Sequence, residues 1–264
     1  MIISLTTIPP RINYLEPVIG SLKRQTIKPS KILIWIPKEY TDKWGKIHTY
    51  TIPTFLKNDD LIEIIECEDY GPATKFLHAI KNLDKDEEFI VVDDDTIYSE
   101  YMIENLSYFP EIDAPKAIKG VYFEDGARKN KKIKLDHHSN ATRTIGLAEI
   151  ICGCDGYTLK PKFFNEKIFK IPEEYKRCDD IWLSGFLTAQ KIKKYIVPCR
   201  LLSYEKYEEQ IKQLWANRPT RPPRWRDKLP HPHVRYVDHV FAINGGKYEK
   251  EDTYKNIVEY LKNE

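Results

Sequence analysis

Apolar residues in the first hundred positions follow two rhythms. Runs at 1–5, 31–36, 61–66 and 89–92 are short, nearly uninterrupted and rich in isoleucine and valine. Such runs read as strands covered on both faces, as in the middle of a parallel sheet. Between them the spacing turns helical. Leu15, Val18, Ile19 and Leu22 mark one face of a helix over 14–25, with Pro17 in the first turn where proline is tolerated. A second helix, 73–82, follows the Gly71-Pro72 turn, while 38–57 is irregular. The alternation β-α-β-loop-β-α-β predicts an α/β fold built on a mostly parallel, doubly wound sheet flanked by helices.

Beyond residue 95 the rhythm loosens. The pattern predicts a helix over 98–109, strands over 117–122 and 149–152, a turn at 153–156 and a helix over 179–191. That last helix would bury Ile181, Trp182, Gly185, Phe186 and Ala189. The basic run 128–134 reads as a solvated loop. Residues 217–233, rich in proline and arginine, cannot be regular throughout, and a short helix closes the chain at 254–261. There is no internal repeat and no linker long enough to separate independent domains.

Composition narrows the class. The chain has 264 residues, 41% hydrophobic and 31% charged, as in a globular protein with an ample core. A net charge of +2 does not call for nucleic acid. No stretch approaches the roughly 18 apolar residues of a membrane span, and the first residues read as a strand, not a signal peptide. Five scattered cysteines argue against a disulfide framework. Cys152-Gly153-Cys154 lacks the spacing of common zinc pairs; small buried thiols in a reducing cytosol are the better reading. The expected location is the cytoplasm, including the cytoplasmic face of a membrane.

Four segments carry candidate chemistry. The run 89–92 leads straight into Asp93, Asp94 and Asp95 and so delivers them to a strand's carboxyl end, where open α/β sheets bind ligands. Three adjacent carboxylates repel one another and need positive charge opposite. A divalent cation is the simplest answer, because hard cations prefer carboxylate oxygens and bridge to phosphates; a solvated helix-capping turn is the plainer alternative. Residues 66–75 leave a strand and open a helix, so their N–H groups can face an anion, with Lys75 as a mobile charge for a phosphate. Asp179 and Asp180 stand at a helix start. Capping and the helix dipole explain one of them, and two suit a general base beside a substrate. Finally, Ser4-Leu5-Thr6-Thr7-Ile8-Pro9-Pro10-Arg11 places hydroxyls and a rigid turn at the end of the first strand.

Taken in order, Ser-Leu-Thr-Thr-Ile-Pro-x-Arg at 4–11, Gly-Pro-Ala-Thr-Lys at 71–75, Val-Val-Asp-Asp-Asp at 91–95 and Asp-Asp-Ile-Trp at 179–182 resemble a nucleotide-sugar glycosyltransferase of the GT-A fold, over roughly the first 200 residues. The resemblance implies one GT-A-like domain: a nucleotide-sugar-binding half at 1–110, an acceptor-binding half at 111–205 and an irregular C-terminal extension at 206–264. It implies Mn²⁺ or Mg²⁺ held by Asp95, with Asp93 as a second ligand. Asp93 and Asp94 would also serve the ribose, the metal's waters or the donor sugar. Thr6, Thr7, Arg11, Asp69, Gly71 and Lys75 would line the nucleotide and diphosphate pocket. Asp179 and Asp180 match the acceptor-side acidic motif, with Asp180 as the base of an inverting hexosyl or pentosyl transfer. The implied partners are a nucleoside-diphosphate sugar, uridine before guanosine, and a glycan or glycoconjugate acceptor.

Many such enzymes add a late histidine to the metal shell; His231, His233 and His239 are available, though each reads as a surface or packing residue. Residues 215–235 interleave five arginines with Trp215 and Trp225 and read as a wrapping segment, not a nucleic-acid motif. Three rival readings stand beside the transferase. An aspartate-nucleophile phosphatase would place its Asp-x-Asp loop after the first strand, and here three strands come before it. A sugar-nucleotide pyrophosphorylase would need a glycine-rich signature that the first turn lacks. A non-catalytic glycan- or nucleotide-binding module would have no use for a base.

Overall fold

The computed structural model describes residues 1–41, 45–125, 127–134, 145–199 and 251–263. Its first half runs β1 (Ile2–Thr6), α1 (Leu15–Lys23), β2 (Lys31–Pro37), the small pair β3 (Tyr40–Thr41) and β4 (Ile47–His48), β5 (Ile62–Cys67), α2 (Thr74–Asn82) and β6 (Phe89–Val91). The second half runs α3 (Met102–Leu106), β7 (Lys116–Ala117), β8 (Lys119–Glu124), β9 (Ala127–Lys134), β10 (Gly146–Leu147), β11 (Ile150–Ile151), β12 (Tyr157–Leu159), α4 (Asp179–Ala189), β13 (Tyr195–Ile196), β14 (Pro198–Cys199) and α5 (Glu251–Asn263).

Eight strands form the main sheet in the order β10-β13-β7-β12-β6-β1-β2-β5. The run β6-β1-β2-β5 is parallel throughout. Alternate residues of the apolar strands face opposite layers, as the side-chain period of two requires. Ile32, Ile34 and Ile36 pack with Ile90 and Val92 against Leu15, Val18 and Leu22 of α1 and Met102 and Leu106 of α3. Leu33, Trp35, Phe89 and Val91 face the other way, toward Phe76 and Ile80 of α2, Trp182 and Phe186 of α4, and Ile257 of α5. That is why these strands carry no polar rhythm. The result is a mixed α/β fold with helices on both faces of the sheet.

Chain order reverses beside β1. The path from β1 through β2 to β5 climbs to one edge, and α2 then returns it to β6 on the far side of β1. A reversal of this kind opens a crevice at the strands' carboxyl ends. The residues that follow β1 and β6 therefore meet there.

Three sequence expectations change. The basic run 128–134 is not a loop: β9 pairs antiparallel with β8, from Lys119 opposite Lys132 to Glu124 opposite Ala127, and parallel with β14. Backbone pairing does not require apolar side chains. The helix expected over 98–109 shrinks to α3, because backbone groups before it bond to α1 and the residues after it: the Tyr98 N–H donates to Ser21 Oγ (3.1 Å), and Gln25 Nε2 donates to the Ser99 carbonyl (2.7 Å). The third change is β12, three residues absent from the predicted pattern, which enters the middle of the sheet antiparallel to β6. Cys152, Cys154, Cys178 and Cys199 are buried, in keeping with the small-thiol reading. Among the described residues no helix is long and apolar enough to cross a membrane. The segments 215–235 and 217–233, with His231, His233 and His239, lie outside the described residues.

Candidate functional site

The crevice between β1 and β6 is closed by side chains from both strand ends. Thr7, just past β1, donates from Oγ1 to Asp94 Oδ2 at 2.7 Å. The turn that follows brings back Arg11, one of whose guanidinium nitrogens pairs with Asp94 Oδ1 and lies 3.1 Å from Asp95 Oδ2. Asp93 faces the other way, with Oδ1 2.6 Å from Lys75 Nζ in the first turn of α2. Lys75 is held from behind by β1: Ser4 Oγ donates to its carbonyl, and Trp35 Nε1 donates to that same Ser4 Oγ at 2.8 Å. The acidic triplet thus has positive charge opposite it, as electrostatics demands, and the fold supplies that charge from Arg11 and Lys75.

The late acidic pair arrives at the same place. Lys75 Nζ lies 2.6 Å from Asp179 Oδ2, an ion pair whose angles fall short of a hydrogen bond. Asp180 Oδ2 accepts from the Gly153 N–H at 3.1 Å. A Cβ at Gly153 would stand 3.1 Å from Asp93 Oδ1, 3.4 Å from Asp180 Oδ1 and 3.4 Å from Lys75 Nζ. Only a residue without a side chain leaves that space open. Tyr98 pins the turn in place: its Oη accepts from the Asp93 N–H at 2.7 Å and donates to the Gly153 carbonyl at 3.2 Å. Two motifs far apart in sequence therefore share one small volume.

Three buried polar atoms in this volume have no hydrogen-bond partner among the described residues: Asp179 Oδ2, which keeps its ion pair with Lys75, and the pair Asp180 Oδ1 and Tyr157 Oη. Tyr157 belongs to β12 and is fully buried. Burial, then the Asp180 charge, push its phenol well above the usual tyrosine range. Unmade hydrogen bonds are costly when water cannot reach the group, so this pair is poised to receive a polar group from outside.

Charge and burial compete throughout. Burial, then Asp179, raise the Asp180 carboxyl well above its ordinary value, and Lys75 only partly opposes them. Asp94 is pushed up to about 6, chiefly by burial, with Arg11 pulling down and Asp95 pushing up. Burial alone would lower Lys75 and Arg11, but the surrounding carboxylates outweigh it and hold both above their ordinary values. Both remain cations.

The carboxylate oxygens have the chemistry of a hard-cation site, but their arrangement does not fit a metal ion. Asp94 and Asp95 turn to one guanidinium, Asp93 turns to Lys75, and among the described residues no three His, Cys, Asp or Glu side chains are grouped to hold one.

Of the residues singled out in the sequence, Thr7, Arg11, Lys75, Asp93, Asp94, Asp95, Asp179 and Asp180 converge here. Lys75 is buried and doubly paired, not a mobile surface charge. Thr6 is turned away, donating to the Trp35 carbonyl at 2.8 Å. Asp69 and Gly71 form the neighbouring rim: Asp69 Oδ1 accepts the Gly71 N–H at 2.7 Å, and Gly71 takes a left-handed φ of +63°. Tyr50 bridges rim and crevice, donating to the Thr7 carbonyl at 2.6 Å. Its phenol is raised by burial and by the charges of Asp69 and Asp94. Sequence reasoning missed Tyr50, Tyr98, Gly153 and Tyr157. The one signal available was the pair of glycines at 153 and 156, which marks a tight turn but not what it faces.

No family model and no curated protein sequence matches the chain. Among solved structures it is similar to 4-diphosphocytidyl-2C-methyl-D-erythritol synthase, at 10% identity and a TM-score of 0.41, over 80% of this chain and 97% of that one. It is also similar to S. aureus TarS 1-349, at 12% identity and a TM-score of 0.43, over 83% of this chain and 66% of that one. The complex of TarS 1-349 with UDP gives 13% identity and the same score and coverage.

Proposed function

We propose that this protein is a glycosyltransferase that moves a sugar from a nucleoside diphosphate to a hydroxyl of a glycan or glycoconjugate. The observation that carries this reading is the Gly153 gap, bordered by Asp93 from the acidic triplet, by Asp180 from the late pair and by Lys75 between them. A donor-side acid group and an acceptor-side base have to stand this close for one displacement to use both.

In this reading Asp180 is the general base. Oδ2 is fixed by the Gly153 N–H, while Oδ1 is buried and lacks a partner among the described residues. A carboxylate whose pKa is raised by burial is a stronger base than an ordinary one. It takes the acceptor's proton as the acceptor oxygen bonds to the anomeric carbon. The bond from that carbon to the diphosphate breaks, the electron pair leaves with the nucleoside diphosphate, and the configuration inverts. Arg11 and Lys75 set positive charge beside the departing group, where fixed charges in a water-poor site are most effective. Thr7, Tyr50, Asp69 and Gly71 form the side on which the nucleotide would lie, with uridine the first base to try.

The phosphatase reading is weaker on the same geometry. Asp93, which would have to attack phosphorus, is tied to a buried lysine. Incubating the protein with sugar nucleotides and, separately, with a generic phosphate ester distinguishes the two. Release of nucleoside diphosphate from one sugar nucleotide, with the ester untouched, is the expected result; turnover of the ester alone would contradict it.

A further inference from the structure

Tyr157 has no task in the chemistry so far, yet the fold sets it within the site. It opens β12, opposite Val91 at the carboxyl end of β6. Its ring packs on the face of the sheet that α2 and α4 cover, in the cluster of Phe76, Trp182 and Phe186. Those two helices bring Lys75 and Asp180 to the same face in their first turns. After burial, the charge that acts most on the phenol is that of Asp180. The residue is 0% exposed, and its Oη has no hydrogen-bond partner among the described residues.

A buried hydroxyl without a partner is a cost to the fold, and phenylalanine would fill the same space without it. The polar groups around it are already taken. Lys75 is shared by Asp93 and Asp179, and the Gly153 N–H holds Asp180 Oδ2. What remains is Asp180 Oδ1, 3.4 Å from where a Gly153 Cβ would stand, and it does not bond to Tyr157 either. An ionised carboxylate oxygen only accepts, while a phenol has a proton to donate. The two atoms together call for a ligand with one O–H to give and one oxygen lone pair to receive. If one hydroxyl did both, the phenol would draw electron density from the oxygen that attacks the anomeric carbon. A second oxygen beside the first removes that conflict. Sugar rings and polyols carry hydroxyls on adjacent carbons; an isolated alcohol does not.

We propose that Tyr157 is an acceptor-binding residue whose Oη donates to a second acceptor hydroxyl, on the carbon next to the one whose hydroxyl Asp180 deprotonates. The acceptor is then a sugar or polyol with neighbouring hydroxyls. The inference rests on the transferase reading and adds the acceptor's chemical class.

The test is a cycle between protein and acceptor. Nucleoside diphosphate release from the accepted sugar nucleotide is measured for wild type and Tyr157→Phe. The acceptors are methyl glycopyranosides, alditols and the monodeoxy analogues of both, and the melting temperature of each ligand-free protein is read alongside. Tyr157→Phe should melt at the wild-type temperature or above it, because the hydroxyl bonds nothing in the free protein. On wild type, loss of one hydroxyl next to the reacting one should lower kcat/KM roughly tenfold or more. On Tyr157→Phe the same deletion should cost less than about threefold. Three results would overturn the acceptor contact and leave the transferase reading standing: release that none of these acceptors accelerates, equal losses on both proteins, or a fall in the Tyr157→Phe melting temperature of more than about 3 °C. No release from any sugar nucleotide, with these acceptors or with water alone, overturns both.

Discussion

At the scale of single residues the site depends on one missing side chain and on an Asp180 oxygen without a hydrogen-bond partner among the described residues. Gly153→Ala would put a methyl group 3.1 Å from Asp93 Oδ1, closer than most real Cβ contacts, and 3.4 Å from both Asp180 Oδ1 and Lys75 Nζ, at the near limit of ordinary contact. The glycine has an ordinary backbone, so the fold should tolerate alanine while the acids move apart. Small displacements of catalytic groups reduce rates by about a hundredfold. The expected outcome is a roughly 10- to 100-fold loss of transfer with a melting temperature within a few degrees of wild type. A large drop in melting temperature would instead make Gly153 a packing residue. Asp94 gives a second handle. Its carboxyl, pushed up to about 6 in the fold, titrates near 3.9 in an unfolded chain. Between those values the native state holds more protons, so stability should fall as pH rises through the window and level off above it. The fall should be roughly 2–3 kcal/mol for the ligand-free protein in urea unfolding. Asp94→Asn should flatten it; an unchanged slope in that variant would mean that Asp94 is not the titrating group.

At the scale of elements, α4 does two jobs. Its first turn presents Asp179 and Asp180, while its remaining turns are buried between the sheet and α5. The helices meet at Gly185, where a Cβ would fall 2.5 Å from Ile257 Cγ2. Gly185→Val should therefore overpack this crossing and lower stability by about 1–3 kcal/mol. Urea unfolding checks it, and a variant as stable as wild type would show that α5 yields easily at that point. The apolar periods made β1, β2, β5, β6, α1, α2 and α4 legible, because each buries enough side chains to leave a pattern. The short strands left none. β12 is three residues of Tyr-Thr-Leu, and its place between β6 and β7 is decided by long-range pairing that no local pattern encodes. The basic strand β9 was hidden for the opposite reason, its charged side chains masking a backbone that pairs on both sides.

At the scale of the whole molecule, the sheet's reversal at β1 and β6 makes one site out of distant sequence. The acidic triplet and the late acidic pair each announced a demand for positive charge or for a ligand. The sequence left open that Lys75 would join them, or that Arg11 would neutralise the residues expected to hold a metal, because either outcome satisfies the same electrostatics. Gly153 and Tyr157 were silent for a different reason, since a glycine and a buried tyrosine acquire meaning only from what stands opposite them. The central claim is that Asp180 activates an acceptor beside a donor held at the triplet. Its most direct test compares wild type with Asp180→Asn in two readouts on the same samples: transfer from the accepted sugar nucleotide, and affinity for the matching nucleoside diphosphate by calorimetry. Asp180→Asn should lose at least a thousandfold in transfer and less than threefold in nucleoside diphosphate affinity. Near-normal transfer by Asp180→Asn would contradict the account.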